Sequence, residues 1–287
     1  MEMFIDILLD AAIDCVKMLP FLFLAFLLIE ALEHYSSDFT KKLMVKVDKA
    51  GPVVGAIVGC VPQCGFSAAA SSLYAGKVIT VGTLLAVYMS TSDEMLPIMI
   101  SNAVPVSVML RILACKAGIA IFSGLMIEYV YVHVMKKREK DMDVHVLCKE
   151  EHCHCEHGIV KSAVVHTLKI FIYIFLISLA LNIIIGLVGE NTLAELFTGI
   201  PVMGEIIAAL VGLIPNCASS VVITQLYLDQ IIGAGAMMAG LLVNAGVGLL
   251  VLFRLNKNRK ENLKIVGALY VLGVFWGVVI ELLGIVF

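Results

Sequence analysis

The chain has 287 residues, of which 61% are hydrophobic and only 15% charged, with a mean hydropathy of +1.01 and a formal net charge of −3. Soluble domains carry about 25% charged residues, so this much apolar sequence points to lipid as its solvent. The lack of a basic face argues against nucleic-acid binding, and continuous apolar runs favour spanning helices over the short alternating strands of a membrane barrel.

Apolar stretches fall near 3–34, 51–76, 78–103, 106–135, 160–189, 200–229, 231–254 and 264–287. The first is not read as a signal peptide: it lacks a basic leader, and Asp6, Asp10 and Asp14 interrupt it. Basic residues concentrate in the connections 35–50, 136–161 and 254–264, whereas 189–199 carries two glutamates and no Lys or Arg. The positive-inside rule then places the three basic loops in the cytoplasm and 189–199 outside. These sides leave 51–76 entering and leaving on the cytoplasmic face. It is therefore read as a re-entrant hairpin, broken at Cys60-Val61-Pro62-Gln63-Cys64-Gly65, because proline removes a backbone donor and clashes with the preceding turn. By the same reasoning 200–229 is a hairpin from outside, broken at Pro215-Asn216-Cys217. The competing reading is a pair of proline-kinked spans, which would put 136–161 and 254–264 on opposite sides.

A shift of 153 residues aligns 51–129 with 204–282 without a gap, and 19 of the 79 aligned positions are identical. Pro62 meets Pro215, Cys64 meets Cys217, and Gln63 meets Asn216. The expected fold is thus an all-α polytopic membrane protein. Two repeats of three transmembrane helices plus one re-entrant hairpin give ten helical segments. Residues 1–135 form repeat 1, 136–159 a cytoplasmic linker and 160–287 repeat 2. Three crossings per repeat invert the second repeat relative to the first, as in many secondary transporters.

Each hairpin tip offers unwound backbone, an amide and a thiol. Gln63, Cys64, Ser67, Asn216, Cys217 and Ser220 are the candidate substrate ligands, since thiols suit thiophilic metals and metalloids and half-helix ends offer carbonyls or N–H groups. A buried cysteine also packs simply as a small apolar residue. Asp93 and Glu94 lie in the most polar stretch inside an apolar run. They are candidates for a cation site or for proton coupling, with Asn244 in the partner region of the second repeat. The competing reading puts both acids at the outer end of their span. Lys116 is a candidate partner for either. Glu128 and Glu281 are read as interfacial. In the linker, Cys148, His152, Cys153, His154, Cys155 and His157 form a soft-ligand tract suited to Zn²⁺, against the plainer reading of a solvated connection. No other cofactor is expected.

Pro62-Gln63-Cys64-Gly65, Pro215-Asn216-Cys217 and the His/Cys-rich central loop resemble the bacterial and archaeal ten-helix heavy-metal exporters, a family labelled arsenic-efflux permeases or manganese transporters. The resemblance spans essentially the whole chain. It implies a multi-pass protein of a bacterial or archaeal cytoplasmic membrane, with both termini outside on the loop assignment above. The expected function is secondary active efflux of a heavy metal, metalloid or divalent cation, with lipid, a small ion and a coupling proton or cation as partners, and a homo-oligomer as one assembly. The alternative is a permease for a small organic or oxyanionic solute held at half-helix N-termini. No Walker A sequence and no HExxH sequence occurs, so neither direct ATP use nor an enzyme is expected.

Overall fold

The computed structural model describes residues 50–63, 65–92, 94–134, 159–188 and 203–287, together with scattered positions between 13 and 28. No strand occurs among the described residues. In chain order the helices are α1 (Ala50–Gly59), α2 (Gly65–Ala75), α3 (Val81–Ser90), α4 (Met95–Ser101), α5 (Val106–Val134), α6 (Ile159–Val188), α7 (Met203–Gly212), α8 (Cys217–Leu228), α9 (Ala234–Val243), α10 (Gly248–Leu255) and α11 (Arg259–Leu282). The described positions between 13 and 28 are helical as well. Three stretches are long and apolar enough to cross a membrane: Val106–Tyr131, Ala234–Leu255 and Arg259–Leu282.

Helix ends follow local chemistry. Pro62 and Pro215 stop the chain between α1 and α2 and between α7 and α8. Asn216 caps α8, its side chain accepting from Ala218 N at 3.4 Å, and Thr80 caps α3 by accepting from Thr83 N at 3.2 Å. At the start of α9 the cap position is Gly233, which has no side chain to offer. The carboxylate of Glu281, on α11, supplies the acceptor instead and takes a bond from Gly235 N at 3.1 Å. Glu281 is therefore a cap on a neighbouring helix, while the residue itself stays exposed, as its position near a span end led one to expect.

The sequence shift of 153 is repeated in the helix bounds. α1 and α7, and α3 and α9, begin and end at equivalent positions, and α2, α4 and α5 start within one residue of the positions equivalent to the starts of α8, α10 and α11. Two of the three described non-glycine residues in the left-handed region coincide: Lys77 (φ +57) and Gln230 (φ +59) are equivalents, while Ala103 (φ +53) has no such counterpart. Packing repeats too. α5 lies on α3 and α11 lies on α9, through the pairs Gly82–Gly124 and Gly235–Gly277. A Cβ at Gly124 would lie 2.8 Å from the Gly82 carbonyl oxygen, and one at Gly277 would lie 2.7 Å from that of Gly235. Small residues at such crossings let apolar helices approach where lipid offers no hydrophobic gain.

Two clusters organise the interior. The larger runs along α3, α5, α7, α9 and α11 and includes Leu84, Leu85, Ile112, Met237, Leu241 and Leu269. The smaller joins Leu22 and Phe26 to Ala163, Ile170 and Ile174 of α6, and to Ala68, Cys217, Val247 and Val251. Phe26 stacks on His166 with ring centroids 5.6 Å apart. Outward faces of α5 and α11 remain apolar: Phe122, Tyr129, Val271 and Phe275 are exposed, as suits a surface meeting acyl chains.

Candidate functional site

The stretches 78–103 and 231–254, expected as plain spans, are both interrupted. α3 gives way to α4 through Thr91-Ser92-Asp93-Glu94, and α9 to α10 through Asn244-Ala245-Gly246-Val247. The polar composition of the first stretch was its visible signal. In the second the signal was smaller, an asparagine two residues before a glycine. Asn244 Oδ1 accepts from Gly246 N at 2.9 Å, and Gly246 turns the chain at φ +51, a conformation that costs glycine little. In the first break Thr91 Oγ1 donates to Val87 O at 2.7 Å and Ser92 Oγ to Ser90 O at 3.0 Å. Thr91, Ser92 and Asn244 are all buried.

The breaks lie beside the proline turns. A Cβ at Gly59, the last residue of α1, would meet Val87 O at 2.7 Å, and Gly212 abuts the Gly240 carbonyl in the same way. Each proline turn thus sits next to the break of its own half. Each also reaches the other half: α2 packs on α10, and α8 packs on α4. A Cβ at Gly248, the first residue after the second break, would lie 2.9 Å from Ser67 Cβ. Ser71 Oγ donates to Gly248 O at 2.7 Å and accepts a 2.7 Å bond from Tyr88 OH, whose oxygen lies 3.3 Å from Gly248 O. Tyr88 on α3 and Ser71 on α2 thereby fasten the first half to the second.

Of the expected substrate ligands, Ser67 is fully buried against Gly248. Gln63 precedes α2 and is half-buried. Asn216 and Cys217 are buried at the start of α8, with Cys217 in the apolar cluster that contains Ala68 and Val247. Ser220 Oγ donates to Cys217 O at 2.8 Å, closing on its own helix. Glu94 occupies the cap position of α4 without a side-chain cap bond. Cys64, Asp93, Cys148, His152, Cys153, His154, Cys155 and His157 lie outside the described residues, as do the connections 35–49 and 189–199. Among the described residues no group of three or more His, Cys, Asp or Glu is arranged to hold a metal ion.

Two side chains that ordinarily carry charge, Lys116 and Glu205, are buried among the described residues, and Lys116 lies at the breaks. It projects from α5 into the first break, is 0% exposed, and donates to the Thr91 carbonyl. It also acts electrostatically on Cys60 at the end of α1. An ammonium at bilayer depth costs several kcal/mol by most measures, about 2.5–3.5 on insertion scales, and here a helix-ending carbonyl offsets part of that cost. Its equivalent on α11 is Leu269, also fully buried.

Comparison with protein-family models, with characterised proteins and with solved structures found no match.

Proposed function

We propose that this protein is a secondary active transporter of a bacterial or archaeal cytoplasmic membrane, an efflux permease for a heavy metal, metalloid or divalent cation similar to the ten-helix heavy-metal exporters. One observation carries this reading: helix is interrupted four times, twice per half, each proline turn follows a helix end that abuts the broken helix of its own half, and the helix after it packs on the second segment of the other half's broken helix. Irregular backbone at membrane depth is tolerated where it lines a cavity or is buried in protein, and discontinuous helices at a repeat interface are where such transporters bind substrate.

The coincident helix bounds and the reciprocal packing support a pseudo-twofold relation between the halves. So does the contact of Ser123 with Trp276, which are 153 residues apart: Trp276 Nε1 donates to Ser123 Oγ at 3.0 Å. A residue meets its own equivalent only near the relating axis. Charge asymmetry of the loops favours an axis in the membrane plane, hence inverted repeats, with 60–64 and 213–216 as re-entrant tips. Substrate would then sit among Gln63, Cys64, Ser67, Asn216, Cys217 and Ser220, with Asp93 and Glu94 at the coupling end.

A second reading, a permease for an oxyanion, draws support from the buried Lys116 ammonium beside the first turn. Flux into inverted vesicles separates the two. With arsenite, Mn²⁺, Zn²⁺ and an oxyanion as solutes, Cys64→Ser with Cys217→Ser should lower metal or metalloid flux at least about tenfold, a loss of about 1.4 kcal/mol per decade. Undiminished flux in the double variant would remove the thiols from the mechanism.

A further inference from the structure

The two halves differ in buried charge at one pair of equivalent positions on α5 and α11, Lys116 and Leu269. On α5 the residues Glu128, Gly124, Ala120 and Lys116 recur every four and so share one face, the face that packs on α3. Gly124 touches the Gly82 carbonyl, and one end of the row, Lys116, donates to the Thr91 carbonyl at the break. On α11 the equivalent row is Glu281, Gly277, Gly273 and Leu269. Glu281 and Gly277 lie against Gly235, and a Cβ at Gly273 would meet the Val243 side chain and lie 3.1 Å from Ala239 O. The contacts advance along α9 as they recede along α11, so the next turn places Leu269 opposite the turn at Asn244. In the first half, then, a positive charge is delivered by a tethered side chain to the carbonyl end of a broken helix. In the second half the same carbonyl end has a leucine opposite it.

We infer that the second break, at Asn244-Ala245-Gly246, binds a monovalent alkali cation, whose place in the first half is taken by the ammonium of Lys116. Carbonyls at the end of an interrupted helix carry the negative pole of the helix dipole and are oxygen ligands of the kind alkali cations take. Asn244 is 6% exposed. Its Oδ1 accepts from Gly246 N at 2.9 Å, and an amide oxygen has two lone pairs, so the atom can take a further partner. The ligands here are neutral amides, and among the described residues no cluster of carboxylate, thiol and imidazole groups accompanies them. Such a set suits a single positive charge better than a divalent ion, which draws on carboxylates. The stand-in has that same single charge. The assignment rests on the transporter reading for its purpose, which is to name the ion that couples solute movement. Binding itself is measurable without transport.

The test is thermal unfolding of the full-length protein in detergent, titrated with NaCl or KCl against choline chloride at constant ionic strength. One alkali cation should raise the midpoint saturably. Asn244→Ala should raise its half-saturating concentration at least about tenfold. Leu269→Lys should abolish the response, because the tethered ammonium occupies the site, while Leu269→Met retains it. A choline-like response in the wild type, an unchanged half-saturation in Asn244→Ala, or a retained response in folded Leu269→Lys would each overturn the inference. If Leu269→Lys does not fold, the Asn244→Ala titration decides alone. Intact alkali-ion binding with no flux of any metal or metalloid would overturn the exporter reading and leave this site standing.

Discussion

Lys116 shows how one side chain holds a helix interruption in place. Its ammonium satisfies the Thr91 carbonyl, which the end of α3 leaves without an in-helix donor, and it binds α5 to the break at the same time. Lys116→Met keeps the length of the side chain and removes the donor. Leaving a buried carbonyl unsatisfied costs about 1–3 kcal/mol, so the variant should fold with a lowered thermal midpoint. Solute flux should fall at least about tenfold, well beyond what the loss of folded protein explains. Flux that tracks only the amount of folded protein would reduce Lys116 to a tie between α3 and α5. The acids at Glu128 and Glu281 belong to the same account. Glu281 is exposed, as its position near a span end suggested, and its carboxylate serves in addition as the cap that Gly233 cannot be. Capping by a distant residue has no sequence signature, because the acceptor lies 46 positions away from the donor it satisfies.

The helices pack through glycine where backbones cross, and the cost of filling each crossing differs by position. At Gly277 a Cβ would lie 2.6 Å from Ala239 Cβ and 2.7 Å from Gly235 O, on a rigid neighbour. Gly277→Ala should therefore destabilise by about 1–3 kcal/mol. Gly118, in the interior of α5, has nothing within 4 Å of where its Cβ would be. Gly118→Ala should be neutral or stabilise by up to about 1 kcal/mol through helix propensity. Thermal unfolding of both variants in one detergent checks the contrast, and equal effects would mean that the α9–α11 crossing is looser than its contacts indicate. The interruptions of α3–α4 and α9–α10 belong to this level of organisation too. Hydropathy averages over a window and sees 231–254 as one apolar run. What breaks it is a local hydrogen bond from Gly246 N to Asn244 Oδ1 and one positive φ, and neither changes the mean hydropathy.

For the molecule as a whole, the proposed inversion of the halves makes a clear demand on equivalent surface positions. Lys77 and Gln230 occupy the same place in the turn after α2 and after α8, with the same left-handed backbone. If the repeats are inverted, single cysteines at these two sites, in a background without reactive native thiols, lie on opposite faces of the membrane. A membrane-impermeant maleimide applied to intact cells should label Gln230→Cys, and Lys77→Cys should react only after the cells are opened. Labelling of both from the same side would show parallel halves and would sink the re-entrant reading of 51–76 and 200–229.

Much of this was legible in the chain itself. Hydropathy dictated helices, since apolar segments of this length satisfy their own backbone only as helices. The two prolines fixed where α1 and α7 end, because the missing donor and the ring clash act within one turn. The 153-residue register followed from paired residues such as Pro62 and Pro215 and returned, almost residue for residue, in the helix bounds. These are local effects, carried by neighbours in sequence. The meeting of Ser67 with Gly248, the Ser71–Tyr88–Gly248 bonds, the cap given by Glu281 and the placement of Lys116 at Thr91 are another matter. They join residues from 17 to 177 or more positions apart, and depend on which helix faces which. That is set by small-residue crossings and by the need to satisfy buried polar groups, so it emerged only once the helices were packed.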